Sequence, residues 1–124
     1  TFTSGAAVTT AFVVYVNASG KVVHADASAI GTSNTIAGVV RTGVGATDLS
    51  VIVDNHGIVT LDAESGVTIV TGDVIYLSEV VGEVTNVAPV TASSVVAVLG
   101  YALTGTTSGT FSAYWAPRSP VTNP

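Results

Sequence analysis

Residues 12–25 read FVVYVNASGKVVHA and residues 73–87 read DVIYLSEVVGEVTNV. Each is a run of β-branched and aromatic residues, a short polar or glycine-bearing turn, and a second β-branched run. That order is a strand–turn–strand hairpin, because branched and aromatic side chains suit a pleated surface and Asn and Gly tolerate the positive φ of tight turns. The likeness continues downstream, where IAGVVRTG at residues 36–43 matches VLGYALTG at residues 98–105. Tyr15 aligns with Tyr76, Gly20 with Gly82, Gly38 with Gly100 and Gly43 with Gly105, at offsets of 61 or 62 residues. A nearly constant offset across separate blocks implies a chain of two related β halves. Two units are too few for a solenoid, so the expectation is one closed domain.

Working outward from these blocks, the first half is expected to hold strands at residues 11–16, 21–25, 36–41, 49–54 and 58–61. The second is expected to hold them at 74–77, 83–87, 95–101 and 110–115. Residues 26–35 read as a small-residue loop with room for one helical turn at DASAI (26–30), and residues 62–73 as the connection between halves. No segment sustains a 3.6-residue apolar period. Pro117, Pro120 and Pro124 are expected to keep the end of the chain out of regular structure and on an extended path. The fold expected is all-β, a compact barrel or sandwich of short antiparallel strands, with internal pseudo-duplication and extended terminal arms. Its organisation is an N-terminal arm at 1–10, a single β-barrel domain at 11–116 with pseudo-repeats 12–60 and 73–116, and a Pro-rich tail at 117–124. Closure into a barrel would hide the strand edges that a Val-rich, weakly charged chain otherwise leaves open.

Of the 124 residues, 48% are hydrophobic and only 9% charged, against about 25% charged in an ordinary soluble protein. A surface of Thr, Ser and Ala can be buried against neighbours without desolvating many ions, which points toward assembly. Net charge is −5, and the basic residues are Lys21, Arg41 and Arg118. Three cations cannot neutralise a phosphate backbone, so direct nucleic-acid binding is excluded as a reading. With no cysteine, disulfides, thiolate chemistry and Cys-ligated zinc are ruled out. Mean hydropathy is +0.64, yet polar or glycine residues interrupt every apolar run short of a membrane-spanning helix. No signal-peptide pattern is visible, and the absence of methionine implies an initiator removed or lying upstream.

Reactive groups are sparse. His24 lies two residues from Asp26, and His56 two residues from Asp54. A His–Asp pair can orient an imidazole for base chemistry, but a spacing of two only puts both side chains on one face of a strand. Asp62, Glu64, Asp73, Glu79 and Glu83 read as a solvated acidic rim without the spacing of a calcium loop. There is no G-x-S-x-G elbow, phosphate loop or dinucleotide fingerprint. The chain is therefore read as non-enzymatic, with no cofactor and no metal. Among the aromatics, Tyr15 and Tyr76 sit at matching packing positions. Phe2 is either a plug in the domain's own core or an anchor on a neighbour. Trp115, with Tyr114, either caps the barrel's end or anchors an interface.

The combination GDVIYLS (72–78), GEVTNVAP (82–89) and VLGYALTG (98–105) resembles the bacteriophage head decoration, or capsid cement, proteins. The resemblance extends over residues 11–116 and is carried mainly by the second copy, since the first has TAFVVYV where the family more often has a Gly-Asp turn. It implies a small β-barrel on the outer surface of an icosahedral virion, often a homotrimer, that bridges the major capsid proteins and stabilises the expanded shell. Under that reading the partner-contacting residues are Phe2, Tyr114, Trp115, Pro117, Arg118 and Pro120, on the two arms and the end of the last strand. The competing expectation is a receptor- or carbohydrate-binding module of a phage tail or fibre, presenting Tyr101, Tyr114 and Trp115 on one face.

Overall fold

A computed structural model describes residues 1–32 and 35–124, so positions 33 and 34 of the expected loop lie outside the described residues. The regular structure of the described residues is almost entirely strand. In order they are β1 (Phe2–Thr3), β2 (Val13–Val16), β3 (Val22–His24), β4 (Ile36–Val40), β5 (Ser50–Val51), β6 (Val53–Asp54), β7 (Gly57–Ile69), β8 (Val74–Leu77), β9 (Val84–Thr85), β10 (Val95–Val96), β11 (Val98–Ala102), β12 (Thr106–Trp115) and β13 (Val121–Thr122). One 3-10 turn, Ile30–Thr32, lies in the expected loop, after most of the DASAI stretch at 26–30 where a helical turn was expected.

The second half closes as a five-stranded barrel in the order β11-β12-β7-β9-β8. Every pairing in it is antiparallel except that of β7 with β9 at Ala63↔Val84. The first half has the order β3-β2-β4-β6, which is the order of β9-β8-β11-β12. The correspondence reaches single residues. Tyr15 pairs with Val23 and Ile36, and Tyr76 pairs with Thr85 and Val98. A register shift between Val14 and Tyr15 matches one between Val98 and Gly100. Gly38 and Gly100 sit at these irregularities with φ of 148° and 152°. A Cβ there would run into the carbonyl oxygen of the facing strand, Asp54 in one copy and Tyr114 in the other. The pseudo-duplication is thus built into register and backbone, beyond shared composition.

The N-terminal ten residues take part in the first half. Strand β1 pairs with β5, and Ser4 forms a parallel bridge to Val22, the counterpart of Ala63↔Val84. Val8 stands where Ile69 does: a Cβ on Gly43 would meet the Val8 carbonyl at 2.7 Å, and one on Gly105 the Ile69 carbonyl at 2.8 Å. Two readings of local structure are corrected. Residues 62–73 are not simply a connection, because β7 runs unbroken to Ile69. The alternation of buried Val59, Leu61 and Ala63 with outward Thr60, Asp62 and Glu64 carries it on, and the acids occupy the solvent side. Nor do the prolines keep the C-terminus out of the sheets. The amides of Ala116, Arg118 and Asn123 donate to the carbonyls of Leu99, Val98 and Ser94. Pro117 and Pro120 fall between them and Pro124 after them, and β13 pairs with β10.

Two apolar clusters follow from the two halves. The smaller holds Val14, Val22, Val40 and Val51, and the larger holds their counterparts Ile75, Val84, Ala102 and Phe111. The larger also takes in the outer face of the first half, through Val13 and Val39, with Tyr15 and Ile36 packed on it. Backbone bonds seal this junction. Val13 N–H donates to Gly82, Gly82 N–H to Ala25, Ala27 N–H to Ser78 and Val95 N–H to Ala27. Gly82 lies flat against the Phe12 ring, where a Cβ would overlap it.

Candidate functional site

The strands of the barrel alternate, apart from the irregularity at Gly100, sending Leu99, Ala102, Ala113, Trp115, Val59 and Leu61 inward. Their outward neighbours line up across the sheet. Val74 on β8 faces Tyr101 on β11, Tyr101 faces Tyr114 on β12, and Tyr114 faces Ile58 on β7. All four are large apolar or aromatic residues left in solvent, at 47%, 45%, 42% and 70% exposure respectively. The Tyr101 and Tyr114 rings are stacked, with centroids 5.4 Å apart and planes 29° apart, an offset geometry that aromatic pairs favour. A contiguous apolar row on the outside of a barrel marks an interaction surface better than scattered single residues do. Beside it runs a groove of about 340 Å³ formed by Val74, Tyr76, Val98, Gly100 and Tyr101 together with Ala116 and Arg118.

Charge is distributed away from this row. Lys21 pairs with Asp48, and Arg41 forms a two-point contact with Asp54, from Nη2 at 2.6 Å and Nε at 3.1 Å. The Asp54 hydrogen bond and charge hold the Arg41 guanidinium even more firmly protonated than usual. Arg118 has no ion pair among the described residues, so the groove carries an uncommitted cation. On another part of the barrel, burial and then the charges of Asp62 and Glu64 push the Glu83 carboxyl above its ordinary range. Asp73 goes the other way, held ionised by hydrogen bonds from Asn86 and from the Val70 amide.

The histidines are engaged in structure. His24 Nε2 accepts the Thr9 amide at 3.0 Å, its ring packs on Phe12 at 4.8 Å, and burial lowers its pKa. His56 contacts Asn55 and stands at a turn, while Asp54 is taken by Arg41. Among the described residues, no three His, Asp or Glu side chains converge where a metal ion could sit. Nor is any helix long and apolar enough to cross a membrane.

Of the residues expected to contact a partner, Tyr114 lies in the exposed row and Arg118 in the adjoining groove. Pro117 is exposed and Pro120 half-buried on the C-terminal segment. Phe2 is half-buried against the smaller cluster, as expected of a plug in the chain's own core. Trp115 needs correction as an interface anchor: only 6% of it is exposed, and it packs in the larger cluster. It follows Tyr114 in the same strand, so strand alternation turns it inward. Val74 and Ile58 were not singled out from sequence. The available signal was their alternation with the buried Ile75 and Val59, but their alignment across four strands depends on register. Searches of protein-family models, of curated proteins and of solved structures return no match to this chain.

Proposed function

We propose that this chain is a non-enzymatic virion structural protein, a decoration or cement protein that binds the outer surface of an icosahedral phage head and stabilises the expanded shell. Its partner in this reading is the major capsid protein, and it acts as a homotrimer. The observation that carries the proposal is the apolar row Val74–Tyr101–Tyr114–Ile58, displayed on a closed barrel with Arg118 beside it. A rigid sheet face loses little conformational freedom on docking, so more of the burial energy appears as affinity. The sequence resemblance at residues 72–105 supplies the virion context. Thermodynamic linkage supplies the mechanism: a protein that binds only the expanded lattice stabilises it by about 2.7 kcal/mol per site at a free concentration 100 times its dissociation constant. Several copies on one oligomer multiply that through effective concentration.

The test is co-sedimentation with expanded, undecorated phage heads. Saturation at a fixed stoichiometry and a raised head-rupture temperature are expected, with Tyr114→Ser and Arg118→Glu each weakening binding roughly tenfold, the scale of an anchor worth about 1–2 kcal/mol. A chain that never sediments with heads overturns the proposal. The stacked Tyr101–Tyr114 pair favours one alternative, a carbohydrate-binding module of a tail or fibre, since paired exposed rings form a platform for sugar faces. Binding in a glycan screen, lost in Tyr101→Ser, would select it.

A further inference from the structure

The outer face of the first half is made by Val13, Tyr15, Ile36, Gly38 and Val39. The residues 61 or 62 places on are Val74, Tyr76, Val98, Gly100 and Tyr101, five of those that form the groove on the second half. The two faces share strand order, register and bulge, yet they differ in their surroundings. Val13 and Val39 are buried under the second half, whereas Val74 and Tyr101 are open. The turn at residues 78–82 abuts the first half at this face: Val13 N–H donates to Gly82, Gly82 is seated on Phe12, and Val95 N–H donates to Ala27. That turn has its own counterpart at residues 17–20. Gly20 has φ of 76° and Gly82 of 77°, but nothing stands over Gly20.

The contact between halves is therefore heterologous, a face of one unit against a turn of the next. An isologous contact would have covered both faces at once. A chain of two such units leaves one face and one turn unused. We propose that the groove on the second half receives the turn at residues 17–20 of a second copy of this chain, repeating between molecules the contact that joins the halves within one. The exposed Val87 stands where the buried Ala25 does, so apolar surface is available at that position too. Asp73 replaces Phe12, and Lys21 on the incoming turn replaces Glu83. The intermolecular version thus loses the ring contact and brings Lys21, which pairs with Asp48 in its own chain, toward Asp73, which accepts from Asn86 and the Val70 amide. Head-to-tail contacts close into a ring if the rotation between units permits and otherwise extend. This inference assigns the β8–β11 end of the apolar row to self-association and leaves Tyr114 and Ile58 to the shell, with Arg118, which lines the groove, common to both contacts. It rests on the fold alone, so self-association without head binding, or the reverse, separates it from the preceding proposal.

The experiment is sedimentation velocity over a concentration series. The wild type is expected to exceed its 12.3 kDa monomer mass. Val74→Lys blocks the groove and Ala18→Trp blocks the turn, and each alone is expected to remain monomeric. Mixed, they should form a complex of two chains and nothing larger, because each retains the surface the other lacks. Near-ultraviolet circular dichroism confirms that the variants are folded, with Tyr101→Ser and Ser19→Arg as substitutes if either is not. A wild type that stays monomeric at every concentration, single variants that assemble like it, or a mixture that stays monomeric would overturn the inference.

Discussion

Gly20 and Gly82 are the same residue in the same backbone state, and they separate two costs that are usually confounded. Both occupy the left-handed region, but only Gly82 is pressed against a ring. Gly20→Ala should cost about 1 kcal/mol, the penalty for a Cβ at positive φ. Gly82→Ala should cost about 2–4 kcal/mol, since Phe12 must also move and the seam between the halves opens. Urea unfolding of the two variants measures the difference, and equal losses would show that the seam yields freely. His24 sets a pH dependence of definite sign. Burial lowers its pKa, so the folded state binds the proton less readily than the unfolded state. Its contribution is fully present above the unfolded value of about 6.5 and is lost as pH falls below it and through the lower folded value. Between about pH 7.5 and pH 5, the melting temperature of the wild type should therefore fall further than that of His24→Gln.

Among the elements, β7 and β13 show how strands arise where composition argues against them. In β7, Asp62 and Glu64 lie among turn-like residues, but Val59, Leu61, Ala63, Val67 and Ile69 alternate with them and find the larger cluster. In β13, prolines bracket two residues whose amides and carbonyls complete β10, as edge strands allow. Asn123 adds a side-chain bond to the Pro89 carbonyl at 2.7 Å and a backbone bond to Ser94. Removing residues 119–124 should therefore uncover the edge of β10 and the buried Val95 and cost about 1–3 kcal/mol by loss of buried hydrogen bonds and apolar area. Thermal unfolding of the truncated chain checks this, and an unchanged midpoint would mean the segment only lies on the surface.

At the scale of the molecule, two copies of one strand plan are joined by unlike surfaces. The first unit spends its outer face on the second, which merges that face into the larger cluster and leaves the equivalent face of the second unit in water. This asymmetry gives both proposals their surface. It also lets them fail independently: heads can be bound by an oligomer built through another contact, and copies can associate without heads. With little charge on the row, both associations should depend chiefly on apolar burial, while Arg118 and the Lys21–Asp73 exchange govern the approach.

Much of this was readable before any coordinates. The alternation of β-branched residues determined strands, the Asn and Gly positions determined turns, and the 61–62-residue offset determined that there are two related halves, because each is a local property of the chain. The hairpins at Tyr15 and Tyr76 and the irregularities at Gly38 and Gly100 are the clearest cases. The candidate surface was less legible. Tyr114 could be suspected by residue type, but whether it or Trp115 faces solvent depends on register, since a shift of one residue exchanges the faces of a strand. Tertiary structure alone decided that Val74, Tyr101, Tyr114 and Ile58 fall in one row, and that residues 62–69 and 121–122 pair rather than connect. It also decided which of two equivalent faces is covered. Such facts depend on pairing between residues distant in the chain, which composition and spacing do not encode.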